Sequence, residues 1–176
     1  MRYKRMIGEK VYLTGLIQDD AKNITKWMND PEITEFLDAH REVNSLNSVN
    51  EQVAEFIKTG TAFAIFDIKT EALIGYCVLD CGNINLLIGE KAYWHKGYDT
   101  EAVGFVLDFG FNLKNCNDIS ACAYSHDTRM LGFFEELGFT KTTVKRERLL
   151  RGRQKYDQIF FSMLAREYFE RERQNA

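Results

Sequence analysis

The spacing of apolar residues predicts alternating helices and strands in the first half of the chain. Apolar positions three and four apart predict one helix around Trp27 and a second over residues 49–57, with Gly60 as the C-terminal cap of the second. The polar residues 38–48 between them are predicted to form a loop. Runs rich in β-branched and aromatic residues at 62–66 and 73–79 flank a polar turn, which is typical of a β-hairpin.

The second half continues the same alternation. Apolar residues at helical spacing over 102–113 predict a long helix with one buried face. Residues 118–124 alternate in polarity as a half-buried strand does. A short helix follows, with Asp127 or Thr128 as its N-terminal cap and Gly138 at its end. Residues 139–150 and 155–164 are predicted to be two strands joined by a tight turn, and the charged tail can continue as a helix.

Composition narrows the function classes. A chain of 176 residues suits one domain, and we predict a single domain over 1–176. Lys and Arg total 23 against 26 Asp and Glu, a net charge of −3, so the basic excess of a generic nucleic-acid binder is absent. The sequence has no apolar run long enough to span a membrane and no apolar signal core. We therefore predict a cytoplasmic protein with no membrane and no nucleic-acid partner.

The cysteines and histidines indicate neither disulfides nor a metal. Structural zinc sites have paired clusters of cysteine or histidine, and the four cysteines do not form them; they are Cys77, Cys81, Cys116 and Cys122. The three histidines are scattered along the sequence. Without a secretory signal, free thiols are favoured over disulfides. We predict no metal site.

One segment carries candidate chemistry. A third predicted strand, 84–88, leads through a loop into the helix over 102–113. The first N–H groups of a helix have no partner within it and attract anions. Lys96 adds a positive charge, and Gly97 allows close approach of the backbone to a phosphate. A simple strand-to-helix turn containing glycine is the alternative interpretation.

Three ordered segments make the chain resemble a known family. They read WMNDPEIT at residues 27–34, IGEKAYWHKGYDTEA at 88–102 and FEELGF at 134–139. Together they are similar to the GNAT superfamily of acetyl-CoA-dependent N-acetyltransferases, and most similar to its branch of ribosomal-protein alanine and spermidine acetyltransferases. The resemblance extends from about residue 10 to residue 167.

The resemblance implies a fold, a co-substrate and a set of binding residues. The fold would be α/β (α+β), with a mixed, mostly antiparallel central sheet, splayed central strands and helices on both faces. The co-substrate would be acetyl-CoA, with an amine as the acceptor and no metal, and a homodimer is compatible with it. The implied contacts to the pantetheine arm, the thioester and the pyrophosphate are Leu86, Leu87, Ile88, Lys96, Gly97, Tyr98, Asp99, Thr100, Asp127 and Phe134.

Asp99 departs from the family motif, which has glycine or alanine at that position. A carboxylate about 4 Å from a phosphate repels it by about 1 kcal/mol in water and by more where water is excluded. The carboxylate could also bond to the N–H groups that a phosphate needs. Alternatively, the side chain of Asp99 points to solvent and its own N–H still binds the phosphate.

The expected proton-transfer groups are also altered. Phe134 stands where the branch often has tyrosine, and it cannot donate a proton; packing as a core aromatic is the alternative role. Asp127 replaces a typical asparagine, and Asn83 lies near the position of a common glutamate. We therefore assign no catalytic residue, and the groups that could substitute are Tyr124, Ser125 and Asp80.

The leading hypothesis is transfer of an acetyl group from acetyl-CoA to a primary amine of a small molecule or a protein N-terminus. The alternative hypothesis is a non-catalytic module that binds CoA or a protein through a degenerate site. Basic residues in the last predicted hairpin, 145–153, could steer an acidic partner, or they form a solvated face.

Overall fold

A computed structural model describes residues 3–37 and 43–175 of the chain. Within them, eight strands form a mixed, mostly antiparallel sheet that combines with five α-helices, and this confirms the predicted fold class. Residues 38–42, in the predicted loop, lie outside the described residues. The chain divides into two compact units, Met1–Cys81 with Asn85–Val106, and Gly82–Ile84 with Leu107–Ala176.

The first unit contains the two predicted helices and the predicted hairpin. Its strands follow the order β1-β2-β3-β4-β5, and the first four pair antiparallel. The short strand β1 was not predicted, because four residues with mostly exposed side chains show no apolar alternation. The elements are β1 (Lys4–Ile7), β2 (Val11–Gly15), α1 (Ala21–Met28), α2 (Leu46–Thr59), β3 (Ala62–Asp67), β4 (Leu73–Asp80), β5 (Asn83–Ile88), which begins in the second unit, and α3 (Tyr98–Asp108), which ends there.

The ends of α2 follow from its sequence. The side chain of Ser45 accepts a hydrogen bond from the N–H of Ser48 at 3.1 Å and caps the first turn. Gly60 ends the helix in the left-handed region, at φ 68°, as predicted. Val49 and Val53 lie on the buried face of α2 and join Trp27 of α1 in the core of this unit.

The second unit contains the remaining strands and helices. Its strands follow the order β5-β6-β8-β7; β8 pairs antiparallel with both neighbours, and Asn83 of β5 pairs with Ser120 of β6 in parallel. The predicted alternation of β6 is confirmed by buried Ile119, Ala121 and Ala123. The elements are β6 (Asp118–Tyr124), α4 (Thr128–Glu136), β7 (Thr140–Arg151), β8 (Gln154–Leu164) and α5 (Ala165–Asn175).

The end of the helix predicted over 102–113 differs from a regular α-helix. Phe109–Leu113 forms a π-helical turn, in which the N–H of Lys114 bonds to the carbonyl of Phe109 at 3.0 Å. The wider turn changes the direction in which its side chains point. Leu113, predicted to lie on the buried face, is therefore 63% exposed, and that prediction was wrong.

Candidate functional site

The loop between β5 and α3 turns twice through left-handed backbone. A short 3-10 turn over Lys91–Tyr93 is followed by His95 at φ 57° and Gly97 at φ 77°. A glycine adopts this conformation without steric cost, whereas histidine does so uncommonly. These two residues turn the chain so that α3 begins at Tyr98.

Side chains from inside and outside the loop bond to its backbone. The indole N–H of Trp94 donates to the carbonyl of Ile88 at 2.8 Å and so ties the loop to the end of β5. The ammonium of Lys96 donates to the carbonyl of Ala92 at 2.6 Å. The ammonium of Lys10 donates to the carbonyl of Lys96 at 2.8 Å. The ammonium groups of Lys10 and Lys96 therefore both contact this loop, but only Lys96 belongs to the loop's sequence motif.

The first turn of α3 includes a buried carboxylate. The N–H of Glu101 bonds to the carbonyl of Gly97 at 3.2 Å, so the N–H groups of the preceding residues start the helix. Asp99 is only 9% exposed, and its Oδ1 accepts a hydrogen bond from the N–H of Thr100 at 3.0 Å. The carboxylate therefore bonds to the first turn, as one of the two alternatives predicted, and does not point to solvent.

Glu101 joins the start of α3 to the turn between β1 and β2. Its carboxylate accepts three backbone N–H groups, from Glu9 at 2.7 Å, Lys10 at 2.9 Å and Val11 at 2.7 Å. A side chain at Gly8 would meet that carboxylate, since an added Cβ would lie 2.5 Å from its carbon. The sequence analysis missed this contact, because no local pattern pairs residues about 90 positions apart.

A second buried carboxylate supports the loop from the turn between β3 and β4. Oδ2 of Asp67 accepts hydrogen bonds from the N–H of Thr70 at 3.0 Å, from its hydroxyl at 2.6 Å and from the hydroxyl of Tyr93 at 3.5 Å. Burial raises the pKa of Asp67, but the hydrogen bonds from Thr70 and Tyr98 outweigh it, so the pKa is lowered. Burial and the adjacent Asp67 raise the pKa of Tyr98.

Close packing surrounds β5, where pantetheine contacts were predicted. Leu87 is buried, and an added Cβ at Gly75 would lie 2.2 Å from the Leu87 carbonyl oxygen. An added Cβ at Gly89 would lie 2.0 Å from the indole of Trp27. Both glycines are required for close approach, and this explains Gly89 in the loop motif. The assignment of Leu86, Leu87 and Ile88 to pantetheine stays a prediction.

A charged cavity of about 270 Å³ lies beside the end of β5 in the first unit. The indole N–H of Trp27 donates to Oε1 of Glu90 at 2.9 Å on its wall. Lys91 forms ion pairs with Asp30 at 2.9 Å and Glu32 at 2.5 Å. Lys91 lowers the pKa of Asp30, and Glu32 and Asp30 raise the pKa of Lys91. These contacts tie the exit of α1 to the loop motif.

In the second unit, Asp127 and Phe134 have clear structural roles. The carboxylate of Asp127 accepts the N–H of Met130 at 3.0 Å and so caps α4, which selects Asp127 from the two predicted cap residues. Phe134 is 2% exposed and lies in an aromatic core. Its ring centroid is 5.4–5.5 Å from those of Phe133, Phe139 and Phe161. Their contacts to a co-substrate stay predictions.

The proposed substitutes for a base or acid have different surroundings. Asn83, which lies near the position of the common glutamate and is not one of these substitutes, accepts a hydrogen bond from the hydroxyl of Ser120 at 2.6 Å. Tyr124 is buried at the end of β6, and the hydroxyl of Ser125 accepts a backbone N–H at 3.1 Å. Asp80 is exposed and bonds to the thiol of the next residue. We assign no proton-transfer role to any of them.

Comparison with known proteins identifies the family. The acetyltransferase (GNAT) domain matches residues 10–140, a range that takes in parts of both units. Because that range covers well over half of the chain, this protein belongs to the GNAT acetyltransferase family. Residues 88–100 and the start of α3 lie inside the matched range.

Individual relatives agree with this assignment. An uncharacterised N-acetyltransferase, p20, of Bacillus licheniformis is 27% identical over 170 residues, covering 91% of this chain and 96% of that protein. Spermidine N-acetyltransferase from Vibrio cholerae, whose crystal structure is in complex with CoA and spermine, is 18% identical in sequence. The two structures match with a TM-score of 0.79 over 92% of this chain and 99% of that chain. A GNAT-family acetyltransferase from Bacillus anthracis is 17% identical in sequence. Its crystal structure matches with a TM-score of 0.78 over 94% of this chain and 99% of that chain. The two structures show the fold.

The described residues contain neither a membrane-spanning helix nor a metal-binding cluster. Across residues 3–37 and 43–175, no helix is both long and apolar enough to cross a membrane. In that same part of the chain, no three Cys, His, Asp or Glu side chains are grouped so that they could hold a metal ion. The cytoplasmic location stays a prediction.

Proposed function

We propose that this protein is an acetyl-CoA-dependent N-acetyltransferase that acts on a primary amine of a small molecule or of a protein N-terminus. The observation that carries the proposal is the loop from β5 to α3. It lies within the family match, contains left-handed Gly97 and leads directly into the first turn of a helix. Such a turn presents N–H groups and a positive dipole to an anion.

The charges on the loop fit a diphosphate. The ammonium groups of Lys10 and Lys96 both bond to loop carbonyls, and the N–H groups of Tyr98 and Asp99 start the helix. The buried carboxylate of Asp99 opposes an anion at this position. The two ammonium groups balance the two first-turn carboxylates, Asp99 and Glu101, so the helix N-terminus supplies the excess positive charge.

The chemistry requires little covalent participation of the protein. A C–N bond forms between the acetyl carbon and the amine, the C–S bond breaks, a proton leaves the amine and the released thiolate gains one. Holding the two reactants in attack geometry supplies much of the rate. Phe134 cannot donate a proton to the thiolate, so another group or water must do so.

The related Vibrio enzyme supports a first choice of acceptors. Its crystal structure contains spermine together with CoA. A panel should therefore begin with spermidine and spermine and extend to monoamines and to short peptides with free N-termini.

Two measurements test the proposal. Calorimetry with acetyl-CoA should show binding, and no binding at millimolar ligand would exclude it. Release of the CoA thiol against the amine panel should then show turnover. Binding without turnover on any amine would instead favour a CoA-binding module, the alternative that the buried Asp99 and the core role of Phe134 support.

Substitution of Asp99 tests its effect on the co-substrate. Asp99→Asn keeps the size and an acceptor for the N–H of Thr100 but removes the charge, and Asp99→Gly restores the family residue. Both should tighten acetyl-CoA binding several-fold, since one repulsive charge at about 4 Å costs about 1 kcal/mol or more. Unchanged affinity in both variants would show that the carboxylate does not oppose the phosphate.

A further inference from the structure

The backbone of Lys10 is held on both sides in the turn between β1 and β2. Its N–H donates to Oε2 of Glu101 at 2.9 Å, and its carbonyl accepts the N–H of Ile68 at 2.9 Å. The side chain therefore extends from a fixed point. A long lysine side chain placed in this way loses less conformational freedom when its ammonium binds a ligand.

The ammonium of Lys10 lies against the loop, immediately before α3. It donates to the carbonyl of Lys96 at 2.8 Å. It would also lie 2.9 Å from a Cβ added at Gly97, which places it in contact with the left-handed glycine. The ammonium of Lys96 itself is bonded to the carbonyl of Ala92. The cation beside Gly97 is therefore that of Lys10.

This cation has no counter-ion in the part of the chain that the structure describes. The recorded ion pairs of the lysines there involve Lys4, Lys26, Lys58, Lys91, Lys141 and Lys155, and none involves Lys10. The carboxylate of Glu101, which bonds to the backbone N–H of Lys10, forms no ion pair with its ammonium and instead accepts three backbone N–H groups. An unpaired ammonium fixed beside the N-terminus of a helix favours an anionic ligand there.

We infer that Lys10 binds the diphosphate of the nucleotide co-substrate and supplies the charge that offsets Asp99. The inference rests on the proposed function and extends it to a residue from a distant turn. The loop motif contributes backbone N–H groups, and the turn between β1 and β2 contributes the ammonium of Lys10. The two act together because Glu101 holds the turn against the start of α3.

The test compares CoA with dephospho-CoA, which keeps the diphosphate and lacks the 3′-phosphate. Calorimetric affinities are measured for the wild type, Lys10→Met and Lys10→Gln. The matched control is Lys4→Met, which removes a cation from the neighbouring strand that is paired with Glu71. Melting temperatures establish that each variant is folded.

Lys10→Met should weaken both nucleotides about tenfold, equivalent to about 1.4 kcal/mol, and Lys4→Met should leave both unchanged. Added salt should weaken wild-type binding more than Lys10→Met binding, because salt screens a charge interaction. Lys10→Gln should bind like Lys10→Met, since glutamine donates a hydrogen bond without the charge.

Other outcomes overturn the inference. Near wild-type affinity in Lys10→Gln would assign Lys10 to the hydrogen bond with the loop carbonyl only. A loss with CoA but not with dephospho-CoA would place the cation at the 3′-phosphate. Unchanged affinity in Lys10→Met refutes the inference alone, whereas a wild type that binds neither nucleotide refutes the proposed function as well.

Discussion

The contact between Glu101 and the turn before β2 offers a sharp test of how the site is held. Removing the carboxylate by Glu101→Ala leaves three backbone N–H groups, those of Glu9, Lys10 and Val11, without their acceptor. Hydrogen bonds to a charged group contribute about 1.5–3 kcal/mol each where water cannot replace them. The magnitude of the loss therefore depends on the exposure of each donor.

Exposure divides the three donors. Val11 is fully buried, whereas Glu9 and Lys10 are exposed and water can replace their bonds. One full contribution and two small ones give an expected loss of about 2–4 kcal/mol for Glu101→Ala. For a chain of this size, such a loss lowers the melting temperature by roughly 4–16 °C. Glu101→Gln keeps one acceptor oxygen, so its melting temperature should lie between those of the alanine variant and the wild type.

The measurement is chemical and thermal unfolding of the variants beside a control. Glu55→Ala also removes a helical glutamate, one that pairs with Lys58, and both of those side chains are 70% exposed. Such a pair contributes less than about 1 kcal/mol, so the control should unfold like the wild type. If Glu101→Ala unfolded like Glu55→Ala, the carboxylate would not stabilise the turn, and the argument for a fixed Lys10 would lose its basis.

Three other features lead to further predictions. Gly89→Ala places a Cβ 2.0 Å from the buried indole of Trp27 and should lower the free energy of unfolding in urea by about 1–3 kcal/mol or more. Gly104→Ala, whose added Cβ meets nothing within 4 Å, is the control and should not destabilise the protein. Equal stability of the two variants would refute the packing argument. The depressed pKa of Asp67 means that its contribution to stability is present above its unfolded pKa of about 4 and is lost as the pH falls through the lower folded value. Urea midpoints between pH 2 and pH 6 should therefore fall more steeply with acid in the wild type than in Asp67→Asn, and parallel curves would contradict this. A hydrogen bond and the negative charge from Asp80 raise the pKa of the Cys81 thiol. Asp80→Asn should therefore react faster at Cys81 with a thiol reagent near pH 8, as followed by mass spectrometry. An unchanged rate would exclude an effect of Asp80 on the thiol.

Local chemistry decided the features that sequence analysis predicted correctly. Gly60 and Asp127 mark helix ends because a left-handed cap and a side-chain acceptor act within one turn of the chain. The alternation of β6 follows from a period of two residues, and the hairpin of β3 and β4 follows from two β-rich runs on either side of a polar turn. The loop between β5 and α3 was found for the same reason, since its charge and glycine lie in one short segment.

Tertiary structure decided which groups support that loop. Glu101 and Lys10 meet across about 90 positions of sequence, and Asp67 reaches Tyr93 and Tyr98 from another turn. Such contacts depend on how distant segments pack, and a single sequence has no period or spacing that records them. The sequence by itself therefore determined the order of the elements and the family of the motif, because these are written in local patterns. Only the fold determined which carboxylates and which cation lie at the start of α3, because packing brings them there.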